Sequence, residues 1–235
     1  MNANNEYSYI DRNVRAIRER IARAALDAGR DPSEITLLAA IKYATAEEIE
    51  YLQKAEGIQA LGENRVQQLL ERYDVIDREN KELHFIGTLQ TNKVKYIVDK
   101  VDMIHSLDSE RLAAEIDKQC GKIGKVMNVL CEINCGREAE KSGLMPEDVE
   151  DFCLSLAKYP NLKLCGFMTM APKCEKNDEY IKYFSETARL VLDIWHKKLD
   201  NIYKPVLSMG MSDSFEAAIA AGSTVVRVGR GLFVK

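Results

Sequence analysis

The sequence lacks a long hydrophobic run, which excludes the simplest kind of membrane protein. No apolar stretch approaches the roughly 20 residues that a membrane-spanning helix needs. The N-terminus, MNANNEYSYIDRN, also lacks the charged-then-apolar order of a signal peptide. We therefore expect a cytoplasmic protein without a membrane partner.

An excess of basic charge is also missing. The chain has 33 Lys and Arg residues against 37 Asp and Glu residues, for a formal net charge of −4, and the two signs are interspersed. A nucleic-acid-binding surface would concentrate positive charge. We expect a small-molecule ligand and no nucleic acid.

Cysteine spacing gives no indication of a metal site. None of the six cysteines forms a C-x-x-C pair, and Cys131 and Cys135 have no second pair or histidine couple at zinc spacing. We interpret the cysteines as reduced thiols and predict no metal ligands.

No segment rich in proline, glycine or serine divides the chain, and it contains no low-complexity tract or internal repeat. The 235 residues are 46% hydrophobic, which is enough for a sizeable core. We predict one domain over residues 1–235.

Helical and β-rich patterns alternate along the chain. A first amphipathic helix, YSYIDRNVRAIRERIARAALDAGR, is followed by eight β-rich runs, which are ITLLAAIK, IQALGEN, LHFIG, DMIHSLDS, KVMNVLCEIN, LKLCGFMT, PVLSMG and TVVRVG. Helix patterns separate these runs, among them TAEEIEYLQKAE with a capping box at Thr45 and Glu48, and TNKVKYIVDKV. Such alternation predicts parallel strands with right-handed crossovers. Eight units of this length predict an α/β fold, a single (β/α)8 TIM barrel with an extra N-terminal helix.

Polar residues follow almost every predicted strand. In (β/α)8 barrels the functional site lies where the strands end at their C-terminal edge. The residues at those ends are Lys42, Glu63, Asn64, His84, Gly87, Ser106, Asn134, Met168, Thr169, Ser208, Arg227 and Gly229. We expect them to surround the mouth of the barrel.

Lys42 is the most informative of these residues. Taken alone, a lysine at a strand exit is an ordinary surface residue. Alternation along the strand, however, places Leu38, Ala40 and Lys42 on one face, so the amine would point into the mouth. A desolvated lysine near other cations loses its proton more readily and can form a Schiff base with a carbonyl group.

The stretch PVLSMGMSDSFEAAIAAGSTVVRVGRG contains the loops after strands seven and eight. Barrels commonly bind phosphate there through hydroxyl groups, glycine-exposed backbone N–H groups and helix N-termini. Ordinary turns and caps explain the same residues, with Ser212 or Asp213 as a helix cap. A phosphate site and a Schiff-base lysine in one mouth suit either pyridoxal phosphate or a class I aldolase acting on sugar phosphates.

The motifs resemble those of the pyridoxal phosphate homeostasis proteins of the YggS/PROSC type, from the first helix to nearly the last residue. They are AIKYA, LGENRVQ, HFIGTLQTNK, IHSLDSERLA, EIN followed by EAEKSGL, GFMTMAP, SMGMSDSFEAAIAAGST and VRVG. The resemblance implies a barrel related to the N-terminal domain of alanine racemase, monomeric or loosely associated. It also implies pyridoxal phosphate bound to Lys42.

Further site residues are implied by the same resemblance. Asn64 and His84 would belong to the surroundings of the cofactor. Its phosphate would meet Ser208, Gly229 and the backbone at Arg230, and Arg227 would face its pyridine nitrogen.

The sequence departs from the family at three points. Leu83 stands where an aromatic residue usually precedes the histidine, and Arg230 stands where a small hydroxyl residue usually follows the glycine. The chain also ends LFVK instead of continuing into a short polar tail.

We expect a carrier that takes part in pyridoxal phosphate homeostasis, without appreciable turnover, which could serve pyridoxal-phosphate-dependent apoenzymes. One alternative is a fold-type III amino acid racemase, which would need an opposing base. The other is a Schiff-base aldolase.

Lys141 resembles a lysine of the family, and a solvated loop lysine is the alternative interpretation. His105, Ser106 and Asp108 suggest a nucleophile set, but neighbouring residues on a strand face opposite sides, so we reject it.

Overall fold

The computed structural model describes residues 6–197, 199 and 204–235. Eight parallel strands form a closed barrel in chain order, and β1 also pairs with β8. The strands are β1 Thr36–Ala40, β2 Ala60–Glu63, β3 Glu82–Phe85, β4 Met103–Leu107, β5 Met127–Ile133, β6 Leu162–Thr169, β7 Val206–Ser208 and β8 Val225–Val228. The predicted barrel is confirmed.

Helices cover the outside of the barrel. They are α1 Ser8–Asp27, α2 Ala46–Leu52, α3 Val66–Arg72, α4 Glu110–Lys122, α5 Val149–Ser155, α6 Asn177–Lys197 and α7 Phe215–Ala220. The predicted capping box at Thr45 and Glu48 begins α2. The predicted single domain over 1–235 includes residues 1–5, 198 and 200–203, which lie outside the described residues.

The N-terminal helix α1 packs beside α7. It buries one apolar stripe, Ile10, Val14, Ile17 and Ile21, as its helical spacing predicts. Asn13 on this helix donates hydrogen bonds to the carbonyl oxygens of Leu232 and Val234, at 3.1 and 2.8 Å. The first helix thereby holds the last residues of the chain beside β8.

The crossover after β3 is not the α-helix that the sequence predicts. TNKVKYIVDKV forms a 3₁₀-helix over Thr91–Tyr96, followed by turns. The apolar positions of this pattern are nevertheless buried, namely Val94, Ile97, Val98 and Val101. Val and Ile are stiff at χ1 and weak helix formers, which lowers the cost of leaving the α conformation.

The barrel interior has an apolar floor and a polar upper part. Leu38, Ala60 and Val225 form the apolar cluster inside the barrel. Buried polar side chains lie nearer to the C-terminal ends of the strands, namely His84, His105, Glu132, Ser208 and Arg227. We call the end of the barrel where the strands terminate the mouth.

Two kinds of feature are absent from the described residues. No helix within residues 6–197, 199 and 204–235 is long and apolar enough to cross a membrane. Within the same ranges, no cluster of three or more His, Cys, Asp or Glu side chains could hold a metal ion.

Candidate functional site

Lys42 lies at the mouth, two residues beyond the end of β1. The ladder continues past Ala40, because the N–H of Ile41 donates to the carbonyl oxygen of Gly62 at 3.0 Å. The Lys42 side chain is half-buried, and its Nζ lies 4.8 Å from the ring centroid of Tyr43. The amine is therefore at the predicted end of the barrel, beside an exposed aromatic ring.

A buried ion pair holds the backbone next to Lys42. Arg72 donates from one terminal nitrogen to Glu63 Oε1 at 2.9 Å and to the carbonyl oxygen of Ile41 at 2.8 Å. Burial raises the pKa of Glu63, and the charge and hydrogen bond of Arg72 oppose that shift. The pair anchors the chain directly before the lysine.

The same geometry excludes Glu63 as a partner of Arg227. Gly62 faces the interior, since a Cβ there would lie 2.4 Å from the side chain of Leu38, so Glu63 faces the surrounding helices. Its carboxylate binds Arg72 instead. Glu63 and Arg227 therefore form no ion pair, although both lie at the ends of barrel strands in the described residues.

Arg227 lies inside the barrel with 5% of its surface exposed. It donates to the carbonyl oxygen of Ser208 at 2.7 Å, to the Ser208 hydroxyl at 2.6 Å and to the carbonyl oxygen of Thr169 at 3.0 Å. Burial lowers the pKa of Arg227 to about 10, while the charge of Glu132 acts in the opposite direction. The guanidinium remains charged at neutral pH and is fixed in one plane by three acceptors.

Ser208 and His84 are connected through His105. His105 Nδ1 lies 3.1 Å from the Ser208 hydroxyl, and its Nε2 lies 3.0 Å from His84 Nδ1. The other nitrogen of His84 lies 2.9 Å from Glu82 Oε2. Burial first, then the charges of His84 and Arg227, lower the pKa of His105 well below its usual value. His105 is thus a neutral imidazole in the centre of the barrel.

The end of β8 lies against the end of β1. A Cβ on Gly229 would lie 3.2 Å from the carbonyl oxygen of Ala40, which is tighter than ordinary contact. Arg230, the next residue, is exposed and borders the cavity at the mouth. The β8 turn thereby places backbone close to the strand that leads to Lys42.

Asn64 follows β2 at the mouth and has an unpaired side-chain atom. Its Oδ1 is buried without a hydrogen-bond partner among the described residues. Gly87 after β3 is pressed against it, since a Cβ there would lie 2.2 Å from the Asn64 carbonyl oxygen. Only glycine permits this approach, so the backbone of Asn64 packs directly against the chain after β3.

A cavity of about 790 Å³ opens at the mouth beside β5 and β6. Glu132 borders it with 3% of its surface exposed; its Oε1 accepts from Ser142 at 2.8 Å, and its Oε2 has no partner among the described residues. Burial raises the pKa of Glu132. Lys141 borders the same cavity and is exposed.

The structure brings the predicted residues together in two groups. Ser208 and Arg227 are in direct contact, and His84 reaches them through His105. Around the same mouth, at strand ends, stand Lys42, Asn64, Gly229 and Arg230, and no side-chain hydrogen bond or ion pair of the described residues joins them to that group. The rejected nucleophile set does not form, since His105 binds His84 and Ser208, and the Ser106 hydroxyl is buried without a partner in the described part of the chain.

Sequence reasoning gave no site role to Glu82 or Glu132, and it considered His105 only in the rejected nucleophile set. A signal existed, because each of the three lies on a strand that also carries a candidate residue or motif. Glu82 and His84 lie two residues apart on β3 and therefore share one face, and Glu132 belongs to the EIN motif.

Known proteins are similar to this chain along nearly its whole length. The sequence model of the family described as "Alanine racemase, N-terminal domain" matches residues 8–235. A pyridoxal phosphate homeostasis protein of Aquifex aeolicus is 41% identical over 215 residues, covering 92% of this chain and 93% of that protein. The protein of the same name from Escherichia coli K12 is 35% identical over 232 residues, covering 95% of each.

A solved structure is similar in fold as well as sequence. The structure of PipY of Synechococcus elongatus PCC7942 with PLP bound superposes with a TM-score of 0.79 at 29% identity, covering 93% of this chain and all of that chain. The similarity therefore extends over complete barrels and is not confined to a shared motif.

Proposed function

We propose a function from the premise that this chain belongs to the pyridoxal phosphate homeostasis protein family, which is built on the alanine racemase N-terminal domain. The chain binds pyridoxal phosphate at the mouth, with the cofactor attached to Lys42 as a Schiff base. It acts in the homeostasis of this cofactor. The observation that carries the proposal is the placement of a half-buried lysine and a buried, fixed arginine at one end of a barrel whose solved relative has PLP bound.

The residues at the mouth fit such a ligand. Three N–H groups of Arg227 are used by Ser208 and Thr169, and its remaining N–H groups have no acceptor in the hydrogen bonds of the described residues. The Oδ1 of Asn64 is buried and unpaired. Buried polar atoms without partners are rare in folded proteins, so the Oδ1 of Asn64 supports a bound polar ligand.

Each residue has a proposed role. Lys42 provides the amine, and Arg227 directs N–H groups to the ring nitrogen. Ser208, the Gly229 turn and the backbone at Arg230 bind the phosphate, because the loops after strands seven and eight are the usual phosphate site of such barrels. Asn64 and His84 shape the surroundings of the ring.

We also propose that the chain carries the cofactor and does not turn substrate over. Bound pyridoxal phosphate supplies an electron sink, which is strongest when an acidic partner keeps its ring nitrogen protonated. Arg227 is a permanent donor with no proton-accepting atom, so it disfavours that state. This argues against efficient removal of a substrate proton.

A racemase would need a base opposite Lys42. Tyr180 is the tyrosine that borders the mouth cavity among the described residues, and its hydroxyl accepts a hydrogen bond from the N–H of Cys174 at 3.2 Å. Chiral analysis of alanine, serine and lysine after long incubation with the loaded protein decides the question. Turnover of roughly 1 s⁻¹ or more, lost in Lys42→Ala or Tyr180→Phe, would establish a racemase.

An absorption spectrum of the purified protein tests binding. Addition of pyridoxal phosphate should produce a protein-bound visible band in the natural chain and not in Lys42→Ala, whereas Lys141→Ala should keep the band. An aldolase lysine would give no such band at rest. Equal spectra for the two alanine variants would contradict the assignment to Lys42.

The partners follow from a carrier role. We propose a monomer that delivers the cofactor to pyridoxal-phosphate-dependent apoenzymes. Loaded protein mixed with an apoenzyme should restore that enzyme's activity faster than spontaneous release of the cofactor allows. Restoration at the spontaneous rate would contradict delivery.

A further inference from the structure

A continuous row of hydrogen bonds crosses the barrel from the mouth toward the opposite face. We call Arg227, Ser208, His105, His84 and Glu82 the buried relay. The three central side chains are almost completely buried, while the Glu82 side chain is 67% exposed at the N-terminal end of β3. The relay therefore connects the mouth with solvent on the other side of the barrel.

The direction of every hydrogen bond in the relay can be deduced from Arg227. A guanidinium has no acceptor atom, so the Ser208 hydroxyl oxygen must accept from it. The hydroxyl proton is then available to His105 Nδ1, and a neutral His105 carries its own proton on Nε2, directed at His84. The opposite direction would leave the buried hydroxyl proton without an acceptor, which is costly.

The same logic continues to the surface. His84 Nδ1 accepts from His105, so neutral His84 carries its proton on Nε2 and donates to the carboxylate of Glu82. At rest, the Ser208 hydroxyl and each imidazole N–H of the relay have one acceptor. Both imidazoles must be neutral with the proton on Nε2.

We propose that Glu82, His84 and His105 are positioning residues that decide where the Ser208 hydroxyl donates. One added proton on the histidine pair reverses the hydrogen bond between the two imidazoles and the one between His105 and Ser208, so that the hydroxyl no longer donates to His105. A protonated His84 carries N–H groups on both nitrogens. It would then donate from Nδ1, and His105 would have to accept on Nε2 and donate from Nδ1 to Ser208. The Ser208 oxygen would accept from both His105 and Arg227, which frees its own proton.

The hydrogen-bond geometry places the second N–H group on His84. On β3, its Nε2 lies 2.9 Å from Glu82 Oε2, and its Nδ1 lies 3.0 Å from the other imidazole, which can accept from it. His105 on β4 lies between His84 and Arg227 of β8, so positive charge there is disfavoured.

Other charged groups act on the two ends of the relay. Arg78 and Asp102 influence Glu82 from the N-terminal face with opposite signs, and Glu132 of β5 influences Arg227. None of these three side chains bonds to either imidazole in the described structure. The hydrogen bonds give the added proton one route, which starts at the Ser208 oxygen in the mouth. The Ser208 proton passes to His105 Nδ1 and the His105 Nε2 proton passes to His84 Nδ1, while His84 Nε2 keeps its own proton toward Glu82.

The relay bears on ligand binding through the released hydroxyl. This step rests on the proposed function, in which Ser208 contacts the cofactor's phosphate. A freed hydroxyl can donate to that anion, whereas at rest its proton is directed at His105. Binding of the phosphate and proton uptake by the relay would then favour each other.

The first experiment uses the apoprotein and is independent of the cofactor. Long-range proton–nitrogen NMR of the histidine rings reports which nitrogen carries the proton, and His196→Gln identifies the third histidine. At pH 8 both rings should be protonated on Nε2 only. On acidification, His84 should gain a proton and the His105 proton should move to Nδ1 in one common transition.

Two matched variants test the role of Glu82. Glu82→Gln removes the relay's carboxylate, and Glu79→Gln removes an exposed carboxylate on the same face. The first should lower the pH of the transition by about one unit, since a charged acceptor is replaced by a neutral one. The second should leave it nearly unchanged. Separate transitions for the two rings, equal effects of both variants, or acid unfolding before any ring titrates would overturn the proposal.

A second experiment tests the link to the ligand. The affinity for pyridoxal phosphate is measured above and below the NMR transition in the natural chain and in Ser208→Ala. The dissociation constant of Ser208→Ala divided by that of the natural chain should be about tenfold larger below the transition than above it. This is the effect of one hydrogen bond to a charged group. A constant ratio would refute the link. Absent binding at every pH, with the NMR transition intact, would instead refute the proposed function.

Discussion

Arg227 and Ser208 are joined by two hydrogen bonds inside the barrel, one to the serine carbonyl oxygen at 2.7 Å and one to its hydroxyl at 2.6 Å. A planar guanidinium can make both from one nitrogen and still reach Thr169 from the other. The pair fixes the ends of β7 and β8 relative to each other, which is where phosphate binding is proposed.

Arg227→Lys should therefore destabilise the apoprotein. The ammonium keeps the buried charge but cannot reproduce three donors in a plane, so we expect the free energy of unfolding to fall by about 1–3 kcal/mol. Urea denaturation measures the change. Arg230→Lys, at the exposed neighbouring position, should stay within about 0.5 kcal/mol, and equal losses for both variants would contradict the account.

The Glu63–Arg72 pair should be essential for the backbone before Lys42. Arg72→Met leaves the buried Glu63 carboxylate without its cation, and breaking such a pair costs about 3–5 kcal/mol. The double variant Glu63→Gln/Arg72→Met should recover most of that loss at pH 7. A double variant as unstable as Arg72→Met would show that lost packing, and not the uncompensated charge, is responsible.

Glu132 should make stability depend on pH. Burial raises its pKa above the ordinary 4.5, so the folded state holds this proton more tightly than the unfolded chain. The free energy of unfolding should then fall as the pH rises above 4.5 and through the raised pKa of the folded state. Glu132→Gln should be more stable than the natural chain at pH 8, by about 1–3 kcal/mol, and the difference should shrink toward pH 5.

The control for Glu132 is Glu138→Gln, which changes an exposed carboxylate at the same cavity. It should have little effect at either pH. If Glu132→Gln and Glu138→Gln have the same pH profile, or if Glu132→Gln is less stable at pH 8, the buried carboxyl group does not control stability in this way.

The phosphate should supply much of the affinity for the cofactor. Loss of one charge-assisted contact costs about 1.5–3 kcal/mol, so pyridoxal should bind at least tenfold more weakly than pyridoxal phosphate. Competition or absorption titrations give both dissociation constants. Arg230→Ser, which restores the usual family residue type at an exposed position, should keep binding within a few fold. Similar constants for the two ligands would contradict a phosphate site.

The sequence was sufficient to predict the barrel because its signals are local. Alternating apolar residues, helical stripes and the capping box at Thr45 each act over a few residues and agree with one another. The failure at Thr91–Tyr96 is also local in origin, since the α-helix and the 3₁₀-helix can bury almost the same side of this segment.

The mouth could be predicted only as a set of strand ends. Parallel strands bring their C-terminal residues together whatever their partners are. Which interior side chains touch depends on the stagger between strands, and this is not written in any one segment. Thus His105 and Ser208, 103 positions apart, are hydrogen-bonded, while Glu63 bonds to Arg72 outside the barrel.

The central claim is that the amine of Lys42 holds pyridoxal phosphate. Borohydride reduction of the loaded protein fixes the cofactor where it is attached, and peptide mass mapping locates it. The account predicts the adduct on the peptide that contains Lys42, with none in Lys42→Ala. An adduct found chiefly on another lysine, such as Lys141, would contradict it.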